Sequence, residues 1–499
     1  MTSFGFVIDQ RKCIGCHACT VACKAENEVP VGEFRTWVKY VEKGTFPEVK
    51  RHFTVLRCNH CDEAPCVEIC PVVALHKRPD AIVDLDRDQC IGCRACMQAC
   101  PYDALYLNED SGTAEKCHYC AHRTEIGLEP ACVVVCPVEA IVAGDVDAPD
   151  GEIGRLIREQ PTSRRKVEKG TKPRVWYVDA LPEALDPAAA TQPPIFLWSD
   201  RPRAAPTPVP GFETPPDIVA SLNHIAKPQW GWHVWLYLYT KNLAAGAMMI
   251  APFAAWLRME TGPWPEAVAL LFLAITGVLL VHDLGRPERF HKIFTHPNWK
   301  SWLVKGSWVI AVFGALTSAS LAAQLLGADG LVAPLRWLAL PAAVLTSGYS
   351  AFLFAQCQGR DLWLERGFFA QLIARAALLG AGLALALPGV DAHGPGRATL
   401  LFGALAALNL TLLLCGLRGE HGNLEERIAR ARLRGDRAAR LGLLLLLGAG
   451  IGVAAFFIRS PIPRELHTAL GCALLALASL GLVLYERAWI RIPQDIPNS

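Results

Sequence analysis

Apolar residues are distributed unevenly along this chain, and the distribution predicts its architecture. From His233 onward they gather into eight runs of roughly 20 residues, the length a bilayer crossing requires. The runs cover approximately 233 to 256, 266 to 284, 303 to 327, 337 to 357, 367 to 387, 398 to 416, 441 to 458 and 465 to 485, with short polar breaks between them. They predict an all-α polytopic membrane domain of eight transmembrane helices. Before residue 180 the pattern changes to short alternating stretches, such as AIVDLD at Ala81 to Asp86 and ALYLN at Ala104 to Asn108, which predict strands of a small α+β domain. Between Pro182 and Pro228 the chain is proline-rich and weakly patterned, and an extended, semi-rigid spacer without helix or sheet is expected there. The expected domains are therefore 1–180, a linker at 181–228, and the membrane domain at 229–499.

Composition agrees with a large lipid-facing fraction: 52% of residues are hydrophobic and only 19% charged. Tryptophans near the ends of the runs, among them Trp230, Trp232, Trp264, Trp299, Trp302, Trp337, Trp363 and Trp489, fit interfacial belts. The even loops and the C-terminus carry 15 basic residues: Arg286, Arg289, Lys292, Lys300, Arg360, Arg366, Arg418, Arg427, Arg430, Arg432, Arg434, Arg437, Arg440, Arg487 and Arg491. The other side carries five, Arg258, Arg336, Arg397, Arg459 and Arg464. The positive-inside rule then places both termini in the cytoplasm, in the inner membrane of a bacterium or archaeon. The opening MTSFGFVIDQRKCIGC shows no export signal, which agrees. The basic residues track membrane loops and form no groove for nucleic acid.

Sixteen of the nineteen cysteines fall before residue 137, in four runs. These are Cys13, Cys16, Cys19 and Cys23; Cys58, Cys61, Cys66 and Cys70; Cys90, Cys93, Cys96 and Cys100; and Cys117, Cys120, Cys132 and Cys136. The clearest, CIGCRACMQACP, has the spacing that closes three thiolates on one face of an iron-sulfur cube while the fourth turns to a second cube. A disulfide framework belongs to short secreted chains. Tight triplets with a detached fourth cysteine would crowd a tetrahedral zinc ion. CIGCHACTVAC and CIGCRACMQAC match at eight of eleven positions, so the domain is a double ferredoxin-like unit. Cys357, Cys415 and Cys472 stand singly in apolar runs and read as inert core thiols.

Ionisable residues inside or at the ends of membrane runs are costly and mark chemistry. His233 and Lys241 lie in the first run, His282 and Asp283 end the second with Arg286 just beyond as a further quinone or proton candidate, and Lys305 opens the third; Arg375 and Tyr349 are weaker candidates in the fifth and fourth. Asp283 has a structural alternative, pairing with Arg286 three residues on. His233 and His282 read equally as interfacial residues, and from the residues alone a haem between two histidines stays open. The GAGIG stretch at Gly448 to Gly452 follows no strand and reads as close helix packing. No pair of proline-broken, mirror-related segments suggests a transporter.

On its four cysteine runs and the closing GTKPRVWYV at Gly170 to Val178, the first part resembles the four-cluster electron-transfer subunits of molybdopterin oxidoreductases, of the DMSO reductase and polysulfide reductase type. That resemblance implies ligand exchange between runs. Cys13, Cys16 and Cys19 would share a 4Fe-4S cluster with Cys136; Cys117, Cys120 and Cys132 with Cys23; Cys58, Cys61 and Cys66 with Cys100; Cys90, Cys93 and Cys96 with Cys70. On HDLGRPERF at His282 to Phe290 and GYSAFLFAQCQGRDLW at Gly348 to Trp363, the second part resembles NrfD-type membrane subunits, with the DMSO reductase anchor type a close neighbour. The two resemblances imply four 4Fe-4S clusters, a quinone or quinol site without haem, and a large catalytic partner subunit carrying molybdopterin, which this chain does not. The alternative is a module of a larger respiratory complex that exchanges electrons with cytochromes and has no molybdenum partner.

Overall fold

The computed structural model describes residues 2–148, 150–191, 217–224, 227, 229–257, 262–387, 396–418, 422–454 and 464–499. Arg258, Arg459 and most of the proline-rich stretch lie outside these residues.

Local sequence explains the N-terminal domain. Its central strand, Phe4–Asp9 (FGFVID), is buried along nearly its whole length. It pairs antiparallel with Ile141–Asp145 and parallel with Val175–Val178, and Thr162–Ser163 pairs antiparallel with the latter at the sheet edge. The beginning and end of the domain thus meet in one sheet. Two small hairpins, Leu75–Lys77 with Val83–Leu85 and Leu105–Asn108 with Thr113–Lys116, sit beside the middle cysteine runs. Short helices start inside the runs, at Ala18–Glu26, Pro65–Ile69, Ala95–Ala99 and Ala131–Val134. The repeat extends to the backbone: Gly15 and Gly92 have φ of 71° and 69°, and His17 and Arg94 both have φ of 60°.

The stretch expected to be a spacer without helix or sheet is not so throughout. Pro182–Leu185 forms a helical turn, and Ile218–Leu222 (IVASL) pairs antiparallel with Thr36–Thr45, itself paired with Glu48–Arg57. The β-branched and apolar residues at 218–220 satisfy an otherwise open sheet edge, which outweighs the proline-rich surroundings.

Each of the eight apolar runs contains a helix. In order they are Trp232–Ile250, Trp264–His282, Trp302–Leu325, Asp329–Ala355, Phe368–Leu385, Arg397–Arg418, Arg437–Gly452 and Arg464–Gln494. Six of these, all but the first and the seventh, are long and apolar enough to cross a membrane. The second helix exposes Leu271, Ile275 and Val278, as a lipid-facing helix does, whereas the first is buried from Thr240 to Ile250. Gly246 of the first helix and Gly380 of the fifth let these two backbones touch: a Cβ on Gly246 would lie 2.1 Å from the Ala376 oxygen.

The iron-sulfur domain sits on one end of the bundle, held by polar contacts to main-chain atoms. The Asn298 side chain donates to the oxygens of Val67, Glu68 and Cys70, and Ser301 Oγ to that of Ile69. Arg286 reaches the Ser111 oxygen, and Arg289 reaches those of Arg87 and Cys90. Arg360 and the Asn498 backbone converge on the buried Asp103 carboxylate, and Lys166 pairs with Glu425. The even loops and the C-terminal residues therefore face the same domain. Gly92, Gly112 and Gly285 meet at the closest approach, where a Cβ on Gly285 would lie 2.2 Å from the Gly112 oxygen. Gly285→Ala is expected to loosen this seat by about 1–3 kcal/mol. The check is thermal unfolding of the detergent-solubilised protein, with a fall in the melting temperature of the iron-sulfur signal.

Candidate functional site

The cysteines fall into four sets, and each set draws on more than one run. Cys13, Cys16, Cys19 and Cys136 line one recess; Cys23, Cys117, Cys120 and Cys132 line a second. The Cys66 thiol is acted on by Cys58, Cys61 and Cys100, and the Cys96 thiol by Cys90, Cys93, Cys70 and, from the neighbouring set, Cys66. Among the described residues no three side chains close round a single metal ion. The sulfurs stand around recesses instead, and N–H groups point at them: Ala140 N to Cys136 Sγ at 3.2 Å, Leu75 N to Cys70 Sγ at 3.5 Å, and Arg57 Nη1 to Cys132 Sγ at 3.2 Å. Burial pushes the Cys19 thiol up to about 11, against the pull of Arg57, and the Cys100 thiol up to about 12. Such side chains stay protonated unless a metal displaces the proton. Soft donors, convergent geometry and N–H···S contacts fit an iron-sulfur cluster.

At the bundle end beneath the Cys90 run, residues from three elements meet. His233 leaves the start of the first helix, His282 ends the second, and Asp283 follows it. His233 Nε2 lies 2.9 Å from His282 Nδ1, and His233 Nδ1 lies 3.2 Å from Asp283 Oδ1. Trp232 stacks on His233 with ring centroids 3.8 Å apart. The third element is the cysteine loop itself: Arg94 Nη1 contacts Asp283 Oδ1 at 3.3 Å and the Gln229 oxygen at 3.2 Å. Trp230 Nε1 donates to the Cys93 oxygen at 3.2 Å.

The local pairing of Asp283 with Arg286 does not form. Arg286 Nε donates to the Ser111 oxygen at 2.6 Å, and its Nη1 faces Glu288 at 3.5 Å; Arg94 takes its place at Asp283. The turn after His282 is pressed against the iron-sulfur domain, so Arg286 is drawn upward to a carbonyl there.

Lys241 stands apart, fully buried in the first helix. Its Nζ donates to the Ser347 oxygen at 3.1 Å and to Ser350 Oγ at 2.5 Å, and lies 4.4 Å from the centroid of the Tyr349 ring. Arg375 is also fully buried and pairs with Glu486 at 3.2 Å, leaving Glu486 Oε2 without a partner. Lys305 lies over the Trp302 ring. Sequence reasoning passed over two members of this arrangement. Arg94 sits inside the CIGCRAC motif, in the slot of His17, and its acid partner is 189 residues away. Glu486 lies one residue beyond the eighth apolar run as delimited from hydropathy.

A cysteine-rich double ferredoxin-like domain seated on an apolar helical bundle defines an iron-sulfur electron-transfer subunit with a membrane anchor. Residues 220–488, 269 of the 499, match the family described as polysulphide reductase, NrfD. Residues 49–146 match a 4Fe-4S dicluster domain and residues 4–25 a 4Fe-4S binding domain. The protein belongs to the NrfD polysulphide reductase family, as a fused iron-sulfur and membrane subunit of the molybdopterin oxidoreductase type.

Its N-terminal part is similar to separate, shorter proteins. A tetrathionate reductase subunit of Salmonella typhimurium is 41% identical over 201 residues, 40% of this chain and 80% of that protein. Protein NrfC of Escherichia coli is 42% identical over 178 residues, 35% of this chain and 80% of that protein. A polysulfide reductase subunit of Wolinella succinogenes is 38% identical over 180 residues, 35% of this chain and 93% of that protein.

The cysteine grouping can be tested directly. Cys136→Ser is expected to remove the same electron paramagnetic resonance signal as Cys16→Ser, although the two lie in different runs. Cys117→Ser should remove another. Loss of the Cys117 signal in Cys136→Ser, with the Cys16 signal intact, would contradict the grouping.

Proposed function

We propose that this chain carries electrons between a large molybdenum or tungsten catalytic subunit and membrane quinone. The observation that supports this most directly is the contact of the Cys90 run with the titratable cluster at the bundle end, through Arg94 and Asp283. In this reading the four cysteine sets hold four 4Fe-4S clusters, with Cys136, Cys23, Cys100 and Cys70 each supplied from a different run than their three companions. Bound clusters supply one-electron chemistry, which a two-electron, two-proton quinone reaction requires on one side.

The chain's own residues handle the protons and the quinone ring. His233 bridges His282 and Asp283, so a proton released by quinol has an acceptor and a second group to pass to. Arg94 fixes the Asp283 carboxylate, and Trp232 holds the His233 ring against rotation. Lys241, beside the Tyr349 ring and with no carboxylate in contact among the described residues, is a donor to a ring oxygen or a proton carrier at greater depth. Eight crossings follow if the first and seventh helices also span the bilayer; the burial of the first inside the bundle and the exposed apolar face of the seventh, at Leu444, Leu447 and Ile451, support this. With the basic even loops on the cytoplasmic side of a bacterial or archaeal inner membrane, the iron-sulfur domain and its partner lie in the cytoplasm.

The relatives named as subunits of tetrathionate and polysulfide reductases favour a reductase-type partner over cytochromes. Native purification in mild detergent tests this: a large co-purifying protein with stoichiometric molybdenum or tungsten is expected, and haem proteins in its place would refute it. For the quinone site, Asp283→Asn is expected to lower quinone-linked turnover at least tenfold with iron content unchanged; normal turnover removes Asp283 from the site. Cys93→Ser is expected to cut quinone-linked turnover while partner activity with a soluble dye is retained.

A further inference from the structure

A buried cation stands between the two outer cysteine sets. Arg57 ends the strand Glu48–Arg57, immediately before the second cysteine run, and is 1% exposed. Its Nη1 donates to Cys132 Sγ at 3.2 Å, its Nη2 to Thr36 Oγ1 at 3.2 Å, and its Nε has no acceptor. Its guanidinium lies over the Phe6 ring, 4.3 Å from the centroid. Two other buried arginines of the domain have carboxylates, Arg35 with Glu115 at 2.7 Å and Arg174 with Asp62 at 2.9 Å, and a third, Arg165, is held by the backbone oxygens of Leu185 and Asn498 and touches no sulfur among the described residues. Among the described residues no carboxylate reaches Arg57. The groups that act on it most strongly are Cys132 and Cys117 of one set and Cys19 of the other.

A guanidinium does not shed its proton, and a buried charge left without a counter-charge is strongly unfavourable. The negative charge that offsets Arg57 must therefore come from the sulfur sets. The Cys132 contact makes the set of Cys23, Cys117, Cys120 and Cys132 its nearest source. Asn27 Nδ2 adds weaker contacts to that set, 3.7 Å from Cys23 Sγ and 3.9 Å from Cys120 Sγ. The set of Cys13 receives the neutral backbone donor Ala140 N, at Cys136.

We propose that Arg57 is the built-in counter-charge of the Cys23, Cys117, Cys120 and Cys132 set, and that it raises the reduction potential of the cluster held there. The inference rests on the ligand grouping given under Proposed function. Accepting an electron adds one negative charge to the cluster, and a fixed cation with an N–H···S hydrogen bond stabilises that state more than the oxidised one.

The test uses the full chain in mild detergent, as wild type, Arg57→Gln and Arg57→Lys, with iron analysis and redox titration followed by electron paramagnetic resonance. In Arg57→Gln one midpoint is expected to fall by about 59 mV or more, a tenfold change in a one-electron equilibrium, while the others hold and Arg57→Lys retains most of the wild-type value. Unchanged midpoints in Arg57→Gln with wild-type iron would overturn the proposal. Should Arg57→Gln lose iron, wild-type protein labelled with 15N-arginine decides. Nitrogen coupling on one reduced-cluster signal, absent in Arg57→Lys, supports the contact; no such coupling in wild type overturns it. Coupling in a wild type that holds well under about sixteen irons, four per cluster, supports the role of Arg57 and counts against the four-cluster number alone.

Discussion

Thiolate sulfur buried away from water has to be neutralised and hydrogen-bonded where it sits, and the N-terminal domain is arranged around that requirement. Backbone N–H groups and side chains, Arg57 and Asn27 among them, supply the donors. The left-handed residues at Gly15, His17, Gly92 and Arg94 turn the chain so that the cysteine loops can close. Because the sets draw on distant runs, the first strand and the strand at Ile141–Asp145, which follows Cys136, are brought side by side, and Val175–Val178 closes the other edge of the first strand. A domain whose apolar core is modest is in this way closed from both ends.

The bundle faces the same low-dielectric constraint with different means. Glu266 and Arg336 form a bidentate pair at the end remote from the iron-sulfur domain, and Ser320 completes the carboxylate. Arg375 and Glu486 pair deeper inside. These pairs offset each other's charge within the bundle and fix helix positions, fully at Glu266 and with Glu486 Oε2 left over at the deeper pair. Lys241 and Asp283 are different: Lys241 contacts hydroxyl, carbonyl and aromatic groups, and Asp283 takes its cation from the other domain. Charges that do not serve their own bundle are the ones to connect with chemistry.

Much of this was legible in the sequence because the signals are local. Cysteine spacing depends on a few adjacent residues, and a helix long enough for a bilayer leaves a run of apolar positions. The pieces that were not legible depend on long-range contact. Arg94 reads as a spacer between two ligands until the second helix brings Asp283 to it. Asp283 and Arg286 have favourable spacing for a local pair, but the Ser111 carbonyl competes for the arginine. The strand at Ile218–Leu222 was hidden by the prolines around it, since a sheet edge formed far earlier in the sequence, at Thr36–Thr45, decides its conformation.

The strand at Ile218–Leu222 also ties the two domains by a short leash. Nine residues, 223 to 231, separate it from the first long helix, a reach of at most ~32 Å even when fully extended. A tether of that length holds the iron-sulfur domain at an effective concentration on the order of millimolar or higher beside its anchor. The contacts on backbone oxygens around Asn298, Arg289 and Arg360 then have little to do with affinity and serve to set angle and register. Two separate subunits would need enough buried area to find and keep each other. Here the stoichiometry is fixed at one to one by the peptide backbone, and the electron-carrying domain cannot be exchanged for that of a neighbouring complex.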